Sequence, residues 1–163
     1  MSLERIAYDP IGVLHTPFSN PAGMPIQPPG AAGARGTAQV LAQFEAGLRD
    51  LDGFSHLILL YHFHRAPAPR LTVTPFLDDQ PRGVFATRAP TRPNPIGLSI
   101  VRLLRREGCK LYLENVDMLD GTPLLDIKPY VPAFDAADVE RVGWLTKAEG
   151  RVQQHRSDAR FGE

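Results

Sequence analysis

The stretch Thr87-Arg88-Ala89-Pro90-Thr91-Arg92-Pro93-Asn94-Pro95-Ile96-Gly97-Leu98 sets two arginines four residues apart among three prolines. Proline fixes φ and removes a backbone donor, so this segment is stiff and cannot pair as a central strand. Guanidinium groups held on a rigid loop lose little entropy on meeting an anion. The same composition also fits a structural turn with solvated arginines. A second stretch runs Asp120-Gly121-Thr122-Pro123-Leu124-Leu125-Asp126-Ile127-Lys128-Pro129-Tyr130. In a strand Asp126 and Lys128 project to one face and can pair. With the turn carboxylate Asp120 and the phenol of Tyr130, they put acid, base and acceptor groups within short reach, or form a surface ion pair beside a hairpin. His56, His62 and His64 fall on one face by two-residue alternation along the strand read at Phe54 to Phe63 and just past its end. No cysteine cluster or third ligand at diagnostic spacing accompanies them, so no metal is expected. His64 falls where that strand meets the Ala66-Pro67 break, at a strand end near a cleft.

The chain that must position these groups has 163 residues, 43% hydrophobic and 22% charged, with 18 basic and 18 acidic side chains. These values fit a single folded domain with a packed core and exclude wholesale disorder. Net charge zero excludes a uniformly basic nucleic-acid coat. Only Lys110, Lys128 and Lys147 among the cations are not arginine, which leans toward phosphate and carboxylate recognition. Sixteen prolines interrupt the chain too often for a helical bundle. No apolar run approaches the ~18 residues of a membrane span. Met1-Ser2-Leu3-Glu4-Arg5 lacks a signal peptide's apolar segment, and Cys109 has no cysteine to pair with. A cytoplasmic protein is expected.

The coarse reading gives a short strand at Ile11 to His15, then a Pro/Gly-rich loop from Thr16 to Gly36. Thr37 to Asp50 reads either as a helix or as a strand followed by a helical turn. Phe54 to Phe63 is apolar almost throughout, as a strand covered on both faces would be. Short strands follow at Leu71 to Pro75 and Val84 to Thr87. Gly97 to Arg105 and Lys110 to Val116 form a hairpin, and Leu124 to Ile127 is a last short strand. Many short strands with few short helices and long loops predict a mainly β fold, an antiparallel barrel or sandwich. Residues 1–135 form the domain, and 136–163 pack on it or trail from it, with Trp144 as a packing anchor.

Taken in chain order, Pro25-Ile26-Gln27, His64-Arg65, Thr87-Arg88, Arg92 to Leu98, Asp120 to Pro123 and Asp126 to Tyr130 resemble the TsaA-like (TrmO) family of S-adenosylmethionine-dependent tRNA methyltransferases. The resemblance covers roughly Ile11 to Pro132. It implies a small single-sheet β-barrel, a homodimer with the methyl donor near the subunit interface, and no metal. The implied reaction methylates N6 of threonylcarbamoyladenosine, just 3′ of the tRNA anticodon. Motif matching assigns donor binding to Pro25, Ile26, Gln27, His64, Arg65, Arg88, Leu98, Asp120, Gly121, Thr122 and Pro123. Ile26 stands where the family usually has Arg, and Arg65 where Gln is frequent, so a cation has been relocated.

The chemistry is compatible. A sulfonium activates its own methyl group, so the protein need only align donor and acceptor and exclude water. Arginines then face the donor carboxylate or RNA phosphates, with Arg88, Arg92 and Lys128 as RNA contacts. The acceptor nitrogen must lose a proton, for which His64, Asp126 and Tyr130 are the candidates. The alternatives are a methyltransferase for a small molecule or another RNA, and a non-catalytic donor-binding module.

Overall fold

The computed structural model describes residues 4–26, 28–148 and 156–158. Its strands are β1 (Gly12–His15), β2 (Arg35–Val40), β3 (His56–His62), β4 (Thr72–Val73), β5 (Arg82–Gly83), β6 (Ile96–Glu107), β7 (Lys110–Glu114) and β8 (Thr122–Pro129). Among the described residues, helix is confined to α1 (Pro132–Asp135) and to 3-10 turns such as Ala42–Leu48 and Val84–Ala86. Six strands close into an antiparallel barrel in the order β1-β2-β7-β6-β3-β8, with β8 returning to β1, while β4 and β5 form a separate ribbon. Of the barrel and sandwich left open by the strand pattern, the observed fold is the antiparallel barrel that the family resemblance implies.

Period-two patterning decides which side chains fill the barrel. Leu57, Leu59 and Tyr61 of β3, Val101 and Leu103 of β6, and Leu111 and Leu113 of β7 point inward and are buried, with Leu14, Ala38, Val40 and Leu124. So narrow a barrel is filled by side chains and holds no ligand. The β6–β7 hairpin turns at Gly108, whose φ of 55° lies in the left-handed region that glycine adopts without strain.

One open reading is resolved and three expectations change. Thr37 to Asp50 is a strand and then a helical turn, because β2 needs Ala38 and Val40 as barrel wall. Val84 to Thr87 contributes a 3-10 turn rather than a strand, and Arg82 and Gly83 make the ribbon instead. The Thr16 to Gly36 loop contains a 3-10 turn at Pro28–Ala31 and yields Arg35 and Gly36 to β2. Strand β3 is covered on one face only: Ile58 and Leu60 point away from the barrel and stay half-buried. Beside them on β6, Leu98 and Ile100 are exposed, in register with Leu60 and Ile58 respectively. The apolar run of β3 thus serves two surfaces, the barrel interior and an uncovered outer face.

Beyond the barrel, Trp144 donates its indole N–H to the Ala86 carbonyl at 2.8 Å and Arg82 lies 6.0 Å from its ring. Residues 156–158 run beside the first long loop, where the Ser157 N–H donates to the Met24 carbonyl, the Gly23 N–H donates to the Ser157 carbonyl and the Met24 N–H donates to Ser157 Oγ, each at 2.8 Å. These contacts tie Trp144 and residues 156–158 to the loops beside them.

Gly97, like Gly12 and Gly36, is a barrel position with no space for a side chain. It pairs with Tyr61, and a Cβ there would lie 2.2 Å from the phenol ring. Gly97→Ala is expected to destabilise the fold by about 1–3 kcal/mol through overpacking, read as a lower urea midpoint at unchanged m-value.

Candidate functional site

At one end of the barrel, β3 finishes at His62, β6 begins at Ile96, β7 exits at Glu114 and β8 enters at Thr122. The loops leaving these ends enclose a cleft of about 1330 Å³. Pockets for one small molecule usually span ~300–1,000 Å³, so there is room for a second group. Phe63, Phe76, Phe85 and Trp144 supply aromatic wall, and Arg65, Arg88 and Arg92 supply cations.

The proline-stiffened loop forms one wall, and its own polar groups hold it. Thr87 donates its hydroxyl to the Val84 carbonyl at 2.8 Å and accepts from the Ala89 N–H at 3.2 Å. Arg92 Nη1 donates to the carbonyls of Thr87 at 3.1 Å and Ala89 at 3.4 Å. Where prolines remove backbone donors, a guanidinium takes their place. The solvated-arginine alternative therefore fails for Arg92, part of whose donor capacity is structural. The exposed Arg88 lines the cleft from the same loop.

The floor is a row of hydroxyls ending in a carboxylate. Tyr61 Oη lies 2.9 Å from Ser99 Oγ, and Ser99 donates to Asp117 Oδ1 at 2.5 Å. Because Ser99 spends its proton on Asp117, the Tyr61 hydroxyl donates to Ser99. Burial pushes the Asp117 carboxyl up to about 6, against the Ser99 bond and the Arg88 charge, which both favour the ionised form. Burial likewise raises the Tyr61 phenol, with the Asp117 charge adding to it, so the phenol stays protonated. Tyr61 also stacks edge-on with Phe63 at 5.5 Å, worth about 0.5–1.5 kcal/mol.

The turn before β8 forms a third side. Asp120 Oδ1 accepts the Thr16 N–H at 3.1 Å and lies 3.3 Å from His15 Nδ1. The backbone bond is the first cause holding its carboxyl below the ordinary range. Asp120 is thereby committed to joining this turn to the end of β1. Thr122 donates to the Leu119 carbonyl at 2.7 Å and lies 3.4 Å from His64 Nδ1. Desolvation, then the neighbouring Arg65 and His62, lower the His64 pKa, so its ring is neutral at pH 7.

The structure gathers some of the residues named from sequence and separates others. Pro25, Ile26, His64, Arg65, Arg88, Arg92, Leu98 and Thr122 line the cleft. Gln27 lies outside the described residues. Asp120, Gly121 and Pro123 belong to the adjoining turn and strand, not to the lining. Asp126 and Lys128 pair at 2.7 Å on β8, beside Leu60 and Ile58 on the outer face. The Tyr130 N–H bonds to the His56 carbonyl, at the far end of β3, roughly 20 Å from His62 at ~3.4 Å per residue. Among the described residues no group of three or more His, Cys, Asp or Glu is gathered to hold a metal, and no helix is long and apolar enough to cross a membrane. Sequence reasoning missed Tyr61, Ser99 and Asp117. The signal was a serine at an inward position of a strand, since a buried hydroxyl requires a partner.

Residues 13–136 match the model of the tRNA-methyltransferase O N-terminal domain. The chain belongs to this family. A probable S-adenosyl-L-methionine-binding protein of Pyrococcus abyssi is 53% identical over 156 residues, covering 96% of this chain and 85% of the relative. The human tRNA (adenine(37)-N6)-methyltransferase is 37% identical over 135 residues, 78% of this chain but 31% of its own length. The crystal structure of TrmO from Pseudomonas aeruginosa superimposes with a TM-score of 0.73 at 42% identity, over 86% of this chain and 63% of that one. This TrmO-family chain thus spans under two thirds of that solved relative.

The carboxylate in the floor gives a pH signature. Folded Asp117 binds its proton more tightly than the unfolded chain does, so stability falls as pH rises from about 4 to about 6. Linkage bounds the loss from this group at about 3 kcal/mol. In urea unfolding between pH 4 and 7, the stability difference between wild type and Asp117→Asn is expected to change across this window and to level off above it.

Proposed function

We propose that the chain is an S-adenosylmethionine-dependent methyltransferase acting on N6 of threonylcarbamoyladenosine beside the tRNA anticodon. The observation that carries this reading is the cleft itself, which unites three arginines, an aromatic wall and a desolvated carboxylate in a space with room for a second group beside the donor. The relatives support it: one is a probable S-adenosyl-L-methionine-binding protein, another a tRNA (adenine(37)-N6)-methyltransferase.

The residues present fit the donor. Its carboxylate suits a guanidinium, and its sulfonium suits aromatic faces and a carboxylate while disfavouring arginine. Arg65 brings a cation to the same cleft that Ile26 lines, in keeping with a relocated charge, and its Nη1 donates to the Ser19 carbonyl at 3.0 Å. When bound, the donor supplies an activated methyl group. The chain's own work is to hold donor and acceptor in line, to exclude water with Phe85 and Trp144, and to remove the acceptor proton. Arg88 and Arg92 suit the threonyl carboxylate or the anticodon-loop phosphates, whose bases splay and stack readily.

The pocket continues onto the outer face through Ile96, Leu98 and Ile100, where β6 and β3 leave apolar side chains uncovered. A second copy seated on this face would finish the cleft and set the Asp126–Lys128 pair at the rim of the interface. Ile58→Asp is expected to convert a dimer into monomers in analytical ultracentrifugation and to weaken donor binding with it.

The deciding assay incubates the protein and S-adenosylmethionine with total tRNA, followed by nucleoside mass spectrometry. Methylated threonylcarbamoyladenosine is the expected product, with none from unmodified transcript. Equal indifference to modified and unmodified tRNA, with donor still bound, would favour another acceptor. Tight donor binding without turnover on any tRNA would favour a non-catalytic module.

A further inference from the structure

The cleft floor carries a carboxylate that none of the residues named from sequence includes. We propose that Asp117 is the catalytic base, taking the N6 proton of the acceptor as the methyl group arrives. This rests on the methyltransferase reading above and adds to it the group that moves the proton.

Placement argues first. Asp117 lines the cleft together with Arg88, His64 and Leu98. Of the three earlier candidates, Asp126 is tied to Lys128 on the outside of the barrel, and Tyr130 lies at the far end of β3. His64 shares the cleft, but it is exposed and its Nδ1 faces the Thr122 hydroxyl.

Direction argues second. Tyr61 donates to Ser99 and Ser99 donates to Asp117, so every proton in the row points toward the carboxylate. Asp117 is fixed as an acceptor, and its rotamer is pinned by a bond at 2.5 Å. A carboxylate has about four acceptor positions, of which Ser99 takes one. Half-burying a charge at the mouth of a leucine-filled barrel is costly, and an apolar residue there would cost less. The carboxylate is worth that cost if it does chemistry.

The groups facing Asp117 are Ser99 and the protonated Tyr61 from below and Arg88 from the loop. Held near 6, Asp117 is ionised at neutral pH yet retains enough proton affinity to act as a base. The step balances. The acceptor N–H bond breaks and its proton forms an O–H bond on Asp117. The nitrogen bonds the methyl carbon, and the S–CH3 electron pair stays on sulfur as a neutral thioether. One cation and one carboxylate are neutralised together, which suits a dry cleft.

The test uses the full chain, S-adenosylmethionine and threonylcarbamoyl-modified tRNA. Asp117→Asn is expected to lower kcat about 100-fold or more with the donor Kd by calorimetry unchanged. In ¹³C carboxyl NMR of the protein alone, Asp117 should titrate near pH 6. Ser99→Ala should move that midpoint and the acid limb of kcat together to higher pH, since the bond favouring the carboxylate is lost. Three results overturn the assignment: Asp117→Asn keeps kcat but loses donor affinity, His64→Ala abolishes the acid limb while Asp117→Asn retains it, or Ser99→Ala lowers the melting temperature with no shift of the limb. Wild type that binds donor but yields no methylated nucleoside overturns the methyltransferase reading, and this assignment with it.

Discussion

A barrel closed by six strands has no room inside it. Leucine and valine from alternate positions of β3, β6 and β7 fill the interior, so any ligand must sit at an end or on the outside. This constraint places the site. The stiff proline loop, the turn at Asp120 and the exit from β7 all leave the barrel at one end, where they enclose a single cleft. It also explains why a barrel this small carries such long connections: the strands hold the loops, and the loops carry the chemistry.

Strands β3 and β6 serve both sides of the wall. Their inward residues pack the core down to Tyr61 and Ser99, and these two pass from packing into polar contact at the mouth. Gly97 allows this by leaving the Tyr61 ring the space a side chain would take. The outward residues of the same strands, Ile58, Leu60, Leu98 and Ile100, form an uncovered apolar face continuous with the cleft. Core, floor and outer face are therefore all built from the same two paired strands.

The cations divide according to what the backbone lacks. Proline strips donors from the loop at Pro90, Pro93 and Pro95, and Arg92 turns back to satisfy carbonyls of the same loop. Arg65 similarly reaches the Ser19 carbonyl while lining the cleft. Arg88 biases the floor, where its charge opposes the desolvation of Asp117. Three guanidinium groups in one cleft thus do different work, which their spacing in the chain does not reveal.

The sequence by itself determined a mainly β fold, barrel or sandwich, because alternation and frequent turns leave few other ways to bury these strands; the pairing of β8 with β1 decided for the barrel. It also determined the Asp126–Lys128 pair, because a two-residue repeat puts both on one face whatever the partner strand. The proline loop and the Asp120 turn were legible as special from composition alone. Only the tertiary structure decided that β3 is covered on one face, since an apolar run looks alike whether its outer side meets a helix, a second copy or water. Only the tertiary structure joined Tyr61, Ser99 and Asp117. They come from two strands and the loop after β7, and bonds between residues 18 and 38 positions apart depend on barrel register, which no local pattern encodes.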